Sequence, residues 1–95
     1  MATFVRLVKM TDQGLRNAAE VGDMIAEARK TLESCGARIT SSYLTLGTYD
    51  LVATVEAPDN ATVAKASALI AAKGNFRAET LPAVSVEEFT KSLKR

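Results

Sequence analysis

Residues 3–9 alternate, with Phe4, Arg6 and Val8 on one side and Val5 and Leu7 on the other, a period-two strand pattern with apolar groups on both faces. A helix-start signal follows at Thr11-Asp12-Gln13-Gly14, after which Leu15, Ala18, Ile25, Ala28, Leu32 and Cys35 recur at helical spacing. Gly22 interrupts that run as a candidate kink. Gly36 stands where a left-handed cap would close the helix. β-Branched and aromatic residues then rise between Ile39 and Leu46, and beyond Gly47-Thr48-Tyr49-Asp50 the run Leu51-Val52-Ala53-Thr54-Val55 completes a β-hairpin. Leu51, Ala53 and Val55 are the expected core side of its second strand. In the first strand neither alternate set is cleanly apolar, so the facing of residues 38–46 stays open and a bulge is compatible with it.

Pro58 stops the hairpin, Asp59 or Asn60 can cap, and residues 61–73 hold six alanines, a high-propensity helix of small side chains. Gly74 ends it. Residues 76–84 read as a strand with Phe76, Ala78 and Thr80 opposite Arg77, Glu79 and Leu81, and Pro82 favours a sheet edge. Ser85 and Glu88 are spaced for a capping box, and Val84 and Phe89 for the accompanying staple. Glu87 and Glu88 at the start, with Lys91, Lys94 and Arg95 at the end, match the dipole of a short terminal helix.

The order strand, helix, strand, strand, helix, strand closes most simply as an α+β, ferredoxin-like βαββαβ domain over residues 1–95. Its antiparallel sheet has the strand order 4-1-3-2, with both long helices on one face. The expected core is Val5, Leu7, Leu51, Val55, Ile70 and Phe76. The bare face is expected to carry Phe4, Val8 and Val52 among Arg6, Thr54, Glu56, Arg77 and Glu79, a mixture too apolar for full solvation. A second copy of the chain would cover it, giving a homodimer or higher homo-oligomer. At 95 residues the core is thin enough for such burial to matter.

Composition narrows the function classes. With 12 basic and 11 acidic side chains the net charge is +1, which leaves no electrostatic footprint for nucleic acid or an anionic membrane. No apolar run approaches a membrane span, the first residues lack a signal-peptide pattern, and a cytoplasmic location is expected. There is no histidine and one cysteine, Cys35, so catalytic triads, ordinary zinc sites and an intramolecular disulfide are excluded. No cofactor or metal is expected, because the carboxylates are too dispersed for an oxygen-ligand site. Cys35, at a helix end, reads as a small buried filler, and its reactivity is unassigned.

Four segments in order, Thr11-Asp12-Gln13-Gly14, Thr45-Leu46-Gly47-Thr48-Tyr49-Asp50-Leu51-Val52, Val55-Glu56-Ala57-Pro58-Asp59 and Glu79-Thr80-Leu81, resemble the GYD-domain family. Gly47, Tyr49 and Asp50 carry its name, with Thr48 interposed. The resemblance spans nearly the whole chain. It implies a ferredoxin-like fold related to the dimeric α+β-barrel proteins, and it brings no established catalytic residues.

In the expected topology Asp12-Gln13-Gly14, Gly47-Thr48-Tyr49-Asp50 and Gly74-Asn75 meet at one end of the sheet, with Arg6 or Arg77 reaching in from its open face. Arg6, Asp12, Gln13, Gly47, Tyr49, Asp50, Asn75 and Arg77 are therefore the candidate ligand-binding residues, suited to a small organic molecule. The competing reading is structural. Glycine and aspartate are ordinary turn residues, Asp12 can cap the helix, and Arg6, Arg77, Glu56 and Glu79 can form cross-strand ion pairs at a subunit interface. A cofactor-independent oxygenase or isomerase of the dimeric α+β-barrel kind would have to use Asp12, Tyr49, Asp50 or Glu79 as acid and base. A plain assembly module, using the alanine-rich helix for close approach, is the remaining alternative.

Overall fold

The first strand, β1 (Ala2–Met10), lies second from one edge of a four-stranded antiparallel sheet in a computed structural model that describes residues 1–94. Along the chain follow α1 (Asp12–Arg16), a 3-10 turn (Ala18–Glu20), α2 (Val21–Ser34), β2 (Arg38–Leu44), β3 (Leu51–Ala57), α3 (Asn60–Ala71), β4 (Phe76–Ala83) and α4 (Val86–Ser92). The strand order β2-β3-β1-β4 is the expected ferredoxin-like one read from the other edge. Pro82 sits on edge strand β4, where no further strand needs its missing N–H. Arg95, placed by its sequence at the end of the terminal helix, lies outside the described residues.

Local chemistry accounts for the element ends. The Thr11 side chain caps α1 by accepting from Gly14 N, so the cap is Thr11 and Asp12 is the first helical residue. Asp59 caps α3, its Oδ1 accepting from Thr62 N at 2.8 Å and from the Thr62 hydroxyl at 2.7 Å, which holds the carboxyl below its usual pKa. Ser85 Oγ accepts from Glu88 N at 3.0 Å to start α4. Gly36 and Gly74 end α2 and the α3 segment with φ of +95° and +85°. The first helical run breaks earlier than its glycine suggests: Asn17 and the 3-10 turn separate α1 from α2, while Gly22 lies inside α2. The register of β2, left open by its alternation, shifts at an irregularity between Ile39 and Ser41.

Pairing fixes which side of each strand meets the helices. β1 aligns Phe4 with Val55, Arg6 with Ala53 and Val8 with Leu51, so those residues share a face. Phe4, Val8, Ala53, Val55 and Ala57 are buried beneath α2 and α3 with Leu32, Val63, Ala66, Ile70 and Phe76. The expected facing of β1 is thereby reversed. Phe4 and Val8 belong to the core, and Val5 and Leu7 lie on the open face beside Val52, Thr54 and Glu56 of β3 and Glu79 and Leu81 of β4. Both sides of β1 are apolar, so alternation carries no direction. Docking the helices on Ala53 and Val55 places the aromatic ring of Phe4 inside.

Candidate functional site

The turn after β1 and the turn before β4 are tied together backbone to backbone. Thr11 N donates to Asn75 O at 3.0 Å, and the Thr11 hydroxyl donates to Gly74 O. Gln13 Nε2 donates to Lys73 O at 3.0 Å and to Asn75 Oδ1 at 3.1 Å. Asp12, Gln13 and Arg77 border one shallow groove here with Lys9 and Gly74. The expected meeting of Asp12, Gln13 and Asn75 is therefore present, and two of its polar side chains already serve each other.

Asp50 joins the same end from the hairpin. Its N–H donates to Val8 O at 2.9 Å and its Oδ2 accepts from Met10 N at 2.8 Å. The carboxylate thus extends the β1–β3 ladder past the Val8–Leu51 pair, occupying an acceptor place that a further β3 residue would otherwise supply. Asp50→Ala is expected to cost about 1–2 kcal/mol in urea unfolding, because Met10 N–H loses a charge-assisted partner. Asp50→Asn should cost less, since its amide oxygen can still accept.

Tyr49 reaches elsewhere. Its hydroxyl donates to Glu79 Oε2 at 3.0 Å, linking the hairpin to the open face of β4. That bond, followed by desolvation and the carboxylate's charge, raises the phenol pKa, so Tyr49 holds its proton and is no general base near neutrality. Gly47 serves the turn with φ +116°, a conformation unfavourable to side-chain-bearing residues. Glu56, another open-face carboxylate, pairs across strands with Arg38 of the same chain at 2.6 Å, whereas Arg6, Arg77 and Glu79 form no ion pair among the described residues.

Arg6 is the displaced member of the set. Instead of reaching from the open face it lies between the sheet and the helices, 5% exposed, with Nη1 donating to Ser67 Oγ on α3 and to Thr80 Oγ1 on β4 at 3.1 Å. Among the described residues no carboxylate comes within ion-pair distance of it. Burial lowers its pKa, yet a guanidinium starts so high that it stays charged. A cavity of about 40 Å³ adjoins it, walled by Val8, Ile25, Leu32, Ile39 and Phe76 among others, with Ser42 as the second polar group. Ser42, Ser67 and Thr80 escape a sequence reading because nothing local marks a serine or threonine as the partner of a distant arginine. The only available signal is Arg6 standing between Phe4 and Val8 in the alternation.

The eight candidates thus occupy four places: Asp12, Gln13 and Asn75 at the tied turns, Gly47 and Asp50 in the hairpin, Tyr49 and Arg77 toward the open face, and Arg6 in the interior. A family model described as the GYD domain matches residues 4–93. The "Glutamine synthetase and cystathionine beta-lyase binding protein" of Thermus thermophilus is 38% identical over 95 residues, covering 99% of this chain and all of that protein. Among solved structures, TTHA0845, also of Thermus thermophilus, superposes with a TM-score of 0.58 at 22% identity, over 90% of this chain and 96% of that one. The candidate chlorite dismutase TA0507 gives a TM-score of 0.54 at 15% identity, over 99% of this chain and 49% of its own. At those identities the two structures show a shared fold and nothing of activity.

Proposed function

The chain belongs to the GYD-domain family, and from that premise we propose that it is a non-catalytic protein-binding module. Its open sheet face pairs with a second copy, and the resulting dimer carries a larger enzyme partner. The open face is the observation that supports this reading most. Tyr43, Val52 and Leu7 lie in one row across the strands, and Val5 and Leu81 lie next to each other in the adjacent row. Tyr43 and Leu81 are exposed on this side. Lys9, Arg38, Glu56, Arg77 and Glu79 surround the rows with both charge signs, an arrangement that a two-fold axis can make complementary to itself.

The enzyme partner is suggested by the Thermus relative, named for binding glutamine synthetase and cystathionine beta-lyase. Leu44 and Leu46 in and beyond β2 are 71% and fully exposed, and remain outside the paired face. They are the contact proposed for that larger partner. Such a role is consistent with a cytoplasmic location, and no helix among the described residues is long and apolar enough to cross a membrane. The enzyme alternative is less well supported, since Asp50 is held by the backbone and Tyr49 keeps its proton.

Sedimentation velocity tests both contacts. The wild type should run as a dimer at micromolar concentration, and Val52→Lys should run as a 10.1 kDa monomer. Leu46→Asp should stay dimeric but lose co-sedimentation with glutamine synthetase or cystathionine beta-lyase. A monomeric wild type that binds neither enzyme would overturn the reading.

A further inference from the structure

We propose that Arg6 is the anion-recognition group of an interior site that takes a short aliphatic carboxylate. The guanidinium keeps donors that the protein does not use. Nη1 is engaged by Ser67 and Thr80, whereas Nε and Nη2 have no protein partner among the described residues. Yet among those residues no fully buried side-chain nitrogen or oxygen lacks a partner. Those two nitrogens are therefore not fully enclosed, and Arg6 lines the adjoining cavity. Together Nε and Nη2 form the planar edge that grips a carboxylate with two parallel hydrogen bonds.

The adjoining space sets the rest of the ligand. Ile25, Leu32, Ile39 and Phe76 give it an almost wholly apolar wall, and Ser42 adds one hydroxyl. Ala53 on β3 and Ala28 on α2 leave the room that larger side chains would fill. A volume of about 40 Å³ holds roughly three waters, so the site suits a carboxylate head with a short hydrocarbon body. A phosphate dianion would bring more charge and more acceptor oxygens than one arginine and one hydroxyl can satisfy. The bound carboxylate would also supply the counter-charge that the protein does not provide to Arg6. This site is on the opposite side of the sheet from the proposed dimer face, so either can fail without the other.

Butyrate, its neutral isostere butyramide and inorganic phosphate are the probes, read by thermal shift at constant ionic strength and by methyl chemical shifts of Ala28, Ile39 and Ala53. The wild type should show a saturable rise in Tm with butyrate, and butyramide and phosphate should bind at least tenfold more weakly. The methyl shifts should move only with butyrate. Arg6→Met should fold, melt at the same or a higher temperature without ligand because an unpaired buried charge is gone, and lose the butyrate response. Arg6→Lys, which keeps the charge without the planar fork, should bind at least tenfold more weakly. Equal responses to butyrate and butyramide, an unchanged response in Arg6→Met, or wild-type methyl shifts that stay still would each overturn the site. If Arg6→Met does not fold, Arg6→Lys and the wild-type methyl shifts decide the matter.

Discussion

Phe4→Ala is expected to lower the unfolding free energy by about 3–5 kcal/mol, the largest loss among the substitutions considered. The ring is 2% exposed and packs in the cluster formed by Val55, Val63 and Ala66. Truncating it removes its burial and leaves a cavity that the small neighbouring alanines cannot fill. The same change at Phe89, on α4 and 54% exposed, should cost less than about 1.5 kcal/mol. Urea denaturation of both variants makes the comparison. Comparable losses would mean that β1 turns its other face to the helices, because Phe4 would then be partly solvated too.

Gly14→Ala should destabilise by about 2–3 kcal/mol, although alanine normally improves on glycine inside a helix. A Cβ added at Gly14 would stand 2.4 Å from Asn75 O, the same oxygen that accepts from Thr11 N at 3.0 Å. The carbonyl cannot retreat without loosening the bond that joins the two turns. Gly22, in α2, is the internal control: nothing lies within 4 Å of an added Cβ, and Gly22→Ala should stabilise by about 0.5–1 kcal/mol. Opposite signs at the two glycines, read by thermal or urea unfolding, are the expected result. A stabilised Gly14→Ala protein would show that the turns are not packed this closely.

Much of this arrangement is written locally in the chain. Element order, the caps at Asp59 and Ser85, the terminating Gly36 and Gly74, the edge position of Pro82 and the four GYD-like segments are all set by a few neighbouring residues each. Strand order followed because short connections and handedness leave few ways to close this sequence of elements. The convergence of Asp12, Gln13 and Asn75 was legible for the same reason. Their bonds were not, since Gln13 meets a carbonyl 60 residues away and Asp50 meets an N–H 40 residues away.

The facing of β1 was decided by the tertiary structure alone. Phe4, Arg6 and Val8 alternate with Val5 and Leu7, and period two states which residues share a face without stating which face the helices cover. Register with Val55 and Ala53 resolves it by bringing the two largest apolar contributors on that side, Phe4 and Val8, beneath α2 and α3. Arg6 is carried inside with them because it cannot leave their face without shifting the whole strand by one residue. A strand's alternation is a property of its own backbone, whereas the environment on each side is created by segments far along the chain. The sequence therefore determined the pairing of side chains across β1, and only packing decided that the arginine among them would be buried.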